Sequence, residues 1–237
     1  KSIHDNYNAG RFEVDANNLL TELFKKHEIV VMTGGSMLYI DAVCTGMDDF
    51  PTADLTIRQQ LREKWENEGL ESIQNMLKEL DPDHYAKVDL QNPKRILKAL
   101  EVSLQTGIPY SKHLTGTAKN RDYDILKIGL NRNRDELYNR INLRVDAMLA
   151  EGLEAEARSV HEFKQLNSLN TVGYKQFFDY FDGITDYQTA VELIKRDSRR
   201  YARRQLSWFN RDKAIIWFEP QQISEIINTI NDCNTTK

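Results

Sequence analysis

Three short runs of β-branched and aromatic residues, at 29–32, 125–130 and 214–218, are separated by long segments of helical periodicity. Each run is flanked by polar residues and reads as a buried strand. Strands that alternate with helices imply a mostly parallel sheet covered by helices, an α/β fold. Between residues 51 and 119 no comparable run occurs, and the stretch is charged and too long for a simple crossover. It reads as a mostly helical insertion domain, 52–119, carried by an α/β core made of 1–51 and 120–237.

The helical segments carry their own signals. Phe12, Leu19, Leu20 and Leu23 share a face over 12–26, and a second helix is expected at 36–44. Asp54 is placed to cap a helix through Trp65, and another helix follows Gly69 over 71–80. Asn92-Pro93 pairs a capping residue with proline at the first helical position, and Gly107 is a plausible stop. Leu137, Ile141, Val145 and Met148 share one face over 134–150, and a long helix is expected over 189–209. The tail after Pro220 has one apolar stretch and then frays.

Of the 237 residues, 40% are apolar and 29% charged, which excludes a disordered or collagen-like chain. No apolar run approaches the ~20 residues of a membrane span, so no membrane role is expected. The 32 basic and 36 acidic residues give a net charge of −4, so binding to nucleic acid would have to rest on a local patch. Cys44 and Cys233 are the two cysteines, no disulfide framework, and suit a reducing, cytoplasmic setting. The five histidines show no ligand spacing and no metal site is expected. The opening Lys1-Ser2-Ile3-His4 has no Met and reads as the interior of a longer protein.

Five constellations can carry chemistry. Gly34, Gly35 and Ser36 lie between an expected strand and a helix, where glycines allow close approach and free amides attract anions. The alternative is a plain turn with Ser36 as N-cap. Residues 195–211 hold seven basic residues and one acid, a net of +6. On a helix Arg196, Arg200, Arg203 and Arg204 share a broad face, while Val191, Ile194, Tyr201 and Trp208 share another that can dock on a core. So many like charges call for an anionic partner, and arginine suits phosphate. Lys94, Arg95 and Lys98 sit at the N-terminal end of a helix, the end its dipole makes unfavourable for cations. Arg140 and Arg144, four residues apart, could clamp a diphosphate, or Arg140 could pair with Glu136. The run 169–176 could hold a base or phosphate beside Gly173, or be a helix-entry turn with Tyr174 in the core.

In this order the motifs resemble the tRNA dimethylallyltransferase (tRNA isopentenyltransferase) family. The matching stretches are Gly34-Gly35-Ser36-Met37-Leu38-Tyr39, Asp49-Phe50-Pro51 and Asn92-Pro93-Lys94-Arg95 with Ala99-Leu100-Glu101. They continue with Arg140-Ile141 to Arg144, Val172-Gly173-Tyr174-Lys175-Gln176 and Arg203-Arg204-Gln205-Leu206-Ser207-Trp208-Phe209. Together they span nearly the whole chain. Asn210 replaces a frequent basic residue of the family.

The resemblance implies a P-loop-NTPase-like parallel sheet core, incomplete here, with a helical insertion. It implies transfer of a dimethylallyl group from dimethylallyl diphosphate to N6 of the tRNA adenosine on the 3′ side of the anticodon. Arg144, with Arg140, would contact the diphosphate, and Gly34, Gly35 and Ser36 would line the cofactor side. Ser36, Arg58, Lys94, Arg95, Ile96, Leu97, Lys98, Asn170, Thr171, Val172, Gly173, Tyr174, Lys175, Arg203, Arg204, Gln205 and Trp208 would contact the tRNA anticodon stem-loop. Mg²⁺ is the implied cofactor, its ligands expected mainly in a preceding segment. The family's phosphate-binding loop and the aspartate that deprotonates the adenine would lie in that segment too. Asp5 is not that aspartate, and the 237 residues alone are expected to be an inactive monomer. The rivals are an adenylate isopentenyltransferase, a non-catalytic RNA-binding module and a P-loop kinase relative.

Overall fold

The computed structural model describes residues 1–51 and 54–235. Thr52 and Ala53, where the helical insertion is expected to begin, and Thr236 and Lys237 in the tail lie outside the described residues. The chain divides into two compact units, Lys1–Cys44 with Arg121–Lys237, and Thr45–Asn120.

The first unit opens with α1 (Ala9–Phe24), capped by the Asn8 side chain on the Arg11 amide, and α2 (Met37–Cys44). After Arg121 come β1 (Ile128–Leu130) and α8 (Arg134–Ala150). A helical segment follows with α9 (Leu153–Ser159) and α10 (Tyr174–Phe181). The long α11 (Tyr187–Phe209), β2 (Ile216–Phe218) and α12 (Ile223–Thr235) complete the unit. Val145, Leu153, Ala157, Leu169, Phe177, Phe178, Ala190 and Ile194 form its principal core, so α8, α9, α10 and α11 are fastened to one another by apolar burial.

β1 and β2 pair in parallel, with Ile128 opposite Ile216, Gly129 opposite Trp217 and Leu130 opposite Phe218. Gly129 is required there, because a Cβ would lie 2.5 Å from the Trp217 ring. The α/β class with a parallel sheet therefore stands, but two of the expected strands are shorter than their apolar runs. The third expected strand, 29–32, is absent. Among the described residues no ladder receives it, and Ile29, Val31 and Met32 are 48%, 79% and 43% exposed. Apolar β-branched composition creates the preference, but a strand exists only where a second backbone accepts its hydrogen bonds.

Every regular element among the described residues of the second unit is a helix. Its main elements are α3 (Leu55–Glu68), α4 (Leu70–Leu80) and α6 (Pro93–Thr106). Two single turns accompany them, α5 (Pro82–Tyr85) between α4 and α6 and α7 (Tyr110–His113) after α6. Asp54 caps α3 through the amides of Thr56 and Ile57, and Asn92 caps α6 through that of Arg95. Gly107 ends α6 in the left-handed region at φ 70°. Leu61, Ile73, Leu77, Ile96, Ala99 and Leu100 form the core. Asp81 is buried but satisfied, accepting from the Ser111 amide and hydroxyl and from the His84 amide.

Candidate functional site

α8 supplies the first group of candidate residues. Asn133 caps it on the Asp135 amide, which sets Asp135 and Glu136 in the first turn, the end the helix dipole makes favourable for acids. Arg132, just outside the helix, ion-pairs with Glu136. Glu136 is therefore taken, and the alternative of a Glu136–Arg140 pair is not realised. Arg140 and Arg144 are exposed and have no hydrogen-bond or ion-pair partner among the described residues. Val145, beside them, is buried and anchors the helix.

α11 carries the second group. Five of the seven cations in the run have partners within the protein, three of them carboxylates. Asp197 receives Arg196 at 2.9 Å and Arg200 at 3.2 Å. The hydrogen bond from Arg196 leads in holding the Asp197 carboxyl below its usual range. Lys195 pairs with Asp146 at 2.6 Å and Arg199 donates to the Asn142 carboxamide at 2.6 Å, both on α8. Arg211 lies over the Trp208 ring at 3.9 Å. Arg203 and Arg204 are left exposed without an acidic partner among the described residues, Arg204 beside the Tyr201 ring at 5.6 Å. The expected docking face is corrected at one position. Val191 and Ile194 are buried, whereas Tyr201 is exposed, because it lies about two turns beyond Ile194, the last buried residue of the helix.

Gln205 and Trp208 point back into the unit. The Gln205 carboxamide donates to the Gly35 carbonyl at 2.7 Å, and the Trp208 indole N–H donates to the Asp41 carboxylate on α2 at 2.9 Å. A Cβ on Gly35 would collide with the Gln205 carboxamide. Gly34 is exposed with open space where a Cβ would stand, and Ser36 is exposed at the start of α2. Nothing in the folded unit demands glycine at 34.

The 170–175 segment precedes α10. Gly173 has φ 107°, a conformation that favours glycine, and its amide donates to the Gln176 side chain at 2.9 Å. Gln176 is buried and in turn donates to Asp197 at 3.0 Å, which ties this turn to α11. Tyr174 is half-buried, stacked against Phe178, with its hydroxyl donating to Glu156 at 2.7 Å. Asn170, Thr171 and Lys175 are exposed, and Val172 packs on the core.

In the helical unit Arg58 forms a two-point pair with Glu101, at 2.7 and 3.1 Å, and Lys98 approaches the same carboxylate at 3.7 Å. Lys98 also lies over the Phe50 ring at 5.1 Å. Lys94 and Arg95 are exposed at the start of α6, while Ile96 is fully buried and Leu97 half-buried against the core. Ile96 and Leu97 hold this helix in place rather than presenting side chains to a ligand.

No three His, Cys, Asp or Glu side chains among the described residues gather closely enough to hold a metal ion. These residues do not build a Mg²⁺ site, and no step is derived through that ion. No described helix is long and apolar enough to cross a membrane.

Arg140 and Arg144 on α8 and Arg203 and Arg204 on α11 are exposed arginines of one unit with no acidic partner among the described residues, and guanidinium groups suit anionic ligands. A family model for IPP transferases matches residues 1–212, and the chain belongs to that family. It is 51% identical over 234 residues to tRNA dimethylallyltransferase 1 of Bacteroides thetaiotaomicron, covering 99% of this chain and 76% of that protein. It is 52% identical over 230 residues to tRNA dimethylallyltransferase 2 of Parabacteroides distasonis, covering 97% and 77%. The crystal structure of the tRNA isopentenylpyrophosphate transferase of Bacillus halodurans is similar at 32% identity and a TM-score of 0.65, over 98% of this chain and 75% of that one. A eukaryotic dimethylallyltransferase acting on tRNA shares the fold at 20% identity and a TM-score of 0.82, over 99% and 64%.

Proposed function

We propose that this protein transfers a dimethylallyl group from dimethylallyl diphosphate to N6 of the tRNA adenosine on the 3′ side of the anticodon. The enzyme class follows from the family; the donor, the acceptor atom and the roles of residues are the proposal. It includes a cytoplasmic enzyme acting as a monomer.

In this reaction N6 attacks the allylic carbon, the carbon–oxygen bond to the diphosphate breaks, and N6 loses a proton. Negative charge builds on the departing diphosphate oxygens. Guanidinium groups with no other partner are suited to that charge, since no internal salt bridge must break first. Arg140 and Arg144 meet this requirement. Arg203 and Arg204 meet the same requirement for RNA phosphates, with Asn170, Thr171 and Lys175 as further exposed polar contacts. Lys94 and Arg95 offer a second cationic surface on the helical unit. A base inside a structured loop must be turned out before its amine can react.

The observation that carries the reading is the partition of cations. Within the first unit most other arginines have an acidic, amide or backbone-carbonyl partner, whereas these four, with Arg134, have no hydrogen-bond or ion-pair partner among the described residues. The test is transfer of the prenyl group from labelled dimethylallyl diphosphate to an anticodon stem-loop by the full-length enzyme, run beside AMP. Prenylated stem-loop is expected from the full-length enzyme and none from residues 1–237 alone; preference for AMP would make this an adenylate isopentenyltransferase.

A further inference from the structure

The Asp197 carboxylate on α11 accepts hydrogen bonds from three residues. Arg196 donates from Nε to Oδ1 at 2.9 Å and from a terminal nitrogen to Oδ2 at 3.2 Å, a side-on pair. Arg200, one turn on, donates to Oδ1 at 3.2 Å. The Gln176 carboxamide donates to Oδ2 at 3.0 Å, and its own oxygen accepts from the Gly173 amide at 2.9 Å. One carboxylate therefore joins the arginine face of α11 to the turn that precedes α10. Both helices are fastened through Phe177, Ala190 and Ile194 to the core of this unit.

These bonds leave both arginines able to bind. A guanidinium has five N–H donors. Arg196 uses two of them on Asp197 and Arg200 uses one, and both side chains are exposed. An outer acceptor can be added without breaking an internal bond. Arg196 and Arg200 share their broad helix face with Arg203 and Arg204, and Asp197 is the one acid within 195–204. It leaves that face cationic, so neutralisation is not what it achieves. Its orientation is also specified, because its partner Gln176 is buried and cannot follow a drifting carboxylate. A long side chain gives up rotamer freedom when it grips a phosphate, and one that is already held gives up less. The same network steadies the turn that carries the exposed Asn170, Thr171 and Lys175.

We infer that Asp197 is a positioning residue that presets Arg196 and Arg200, together with the turn at 170–175, as one phosphate-gripping surface for RNA. This rests on the proposed function for its RNA ligand. The arginines touch the phosphates, and Asp197 acts through them. A carboxylate beside a polyanion repels it by charge alone. The two possible roles of Asp197 therefore have opposite signs: its neutralisation tightens RNA binding where it is only a nearby charge, and weakens binding where it sets the arginines.

The experiment measures binding of an anticodon stem-loop by the full-length enzyme over a salt series. Arg196→Ala and Arg200→Ala each weaken binding and lower the salt slope by about 0.7–0.9, one phosphate contact. Asp197→Asn keeps the shape of the side chain and weakens binding about tenfold, the cost of ordering two long side chains afresh. In enzyme already carrying Arg196→Ala and Arg200→Ala, Asp197→Asn causes no further weakening, because the residue acts through those two. Binding that Asp197→Asn leaves unchanged or tightens overturns the inference, and so does a weakening that persists at full size without the two arginines. Should Asp197→Asn fold poorly, unaltered salt slopes for Arg196→Ala and Arg200→Ala overturn it by themselves. Wild-type enzyme that does not bind the stem-loop overturns the proposed function and the inference with it. Wild-type binding with the opposite sign at Asp197 overturns the inference alone.

Discussion

The Arg58 guanidinium lies 2.7 Å from the Glu101 carboxylate, whose side chain is 5% exposed on the inner face of α6. Arg58 itself is 41% exposed, so the pair is half in water. Its removal leaves a buried carboxylate with Lys98, at 3.7 Å, as its neighbouring cation. Arg58→Ala is expected to destabilise the helical unit by about 1–3 kcal/mol, the range for a buried group losing its partner, discounted for solvent. Chemical denaturation measures it. Arg58→Ala with Glu101→Gln should recover much of the loss, whereas an arginine acting solely on RNA would show no loss to recover.

The two arginine sets should separate kinetically. Arg203→Ala and Arg204→Ala are expected to weaken stem-loop binding and each to lower its salt slope by about 0.7–0.9. Arg144→Ala should leave that slope alone and reduce turnover by about a hundredfold, the loss of one donor to a developing oxyanion. Identical phenotypes from both sets would show that they serve one ligand.

Arg121 makes a different kind of contact. Its guanidinium donates to the Val43 and Ala42 carbonyls at 2.9 Å each and pairs with Glu13 at 2.8 Å, with both side chains largely buried. It joins α1 to the end of α2, where orphan helical carbonyls need donors. Arg121→Ala should cost about 3–5 kcal/mol in urea unfolding, because a buried carboxylate loses its guanidinium. Arg121→Lys should recover only a part, since one ammonium cannot reproduce the fork. A loss below ~1 kcal/mol would show that water replaces the guanidinium there.

Tyr174 gives a pH signature. Its hydroxyl donates to Glu156, and that bond, with desolvation, pushes the phenol from its ordinary 10.0 up to about 12. A raised pKa means that the folded protein holds the proton more tightly than the unfolded chain. The stabilisation is fully present below pH ~10 and is lost as pH rises towards ~12. Tyr174→Phe should flatten the fall in stability over that window, read by urea midpoints at successive pH values, and should remove the latest-titrating tyrosinate absorbance. An unchanged titration would place the high-pKa phenol elsewhere.

Local signals were the ones a linear reading could follow. Asp54, Asn92 and Gly107 act through bonds to residues within four positions, so their helix ends were legible without a fold. The helix over 134–150 was legible for the same reason, and its two free arginines could be named. Whether Arg140 or Arg132 would claim Glu136 could not, because both lie four residues from it. The basic run at 195–211 was legible as a concentration of cations on one helix. That Asp197 would gather two of its arginines, and that Gln205 and Trp208 would turn inward, depended on residues 176, 35 and 41.

The sequence by itself determined the family, the longer helices, the helix ends at Asp54, Asn92 and Gly107, and the stretches where cations concentrate. All of these depend on neighbours along the chain or on motif order. Tertiary structure decided which cations stay unpaired and which polar side chains brace the turn. It also decided whether an apolar run becomes a strand. Several of those outcomes, among them Lys195 with Asp146, Arg199 with Asn142, Gln205 with Gly35 and Trp208 with Asp41, turn on a partner distant in sequence. Such partners meet only when burial of the Val145–Ile194 core brings their helices together.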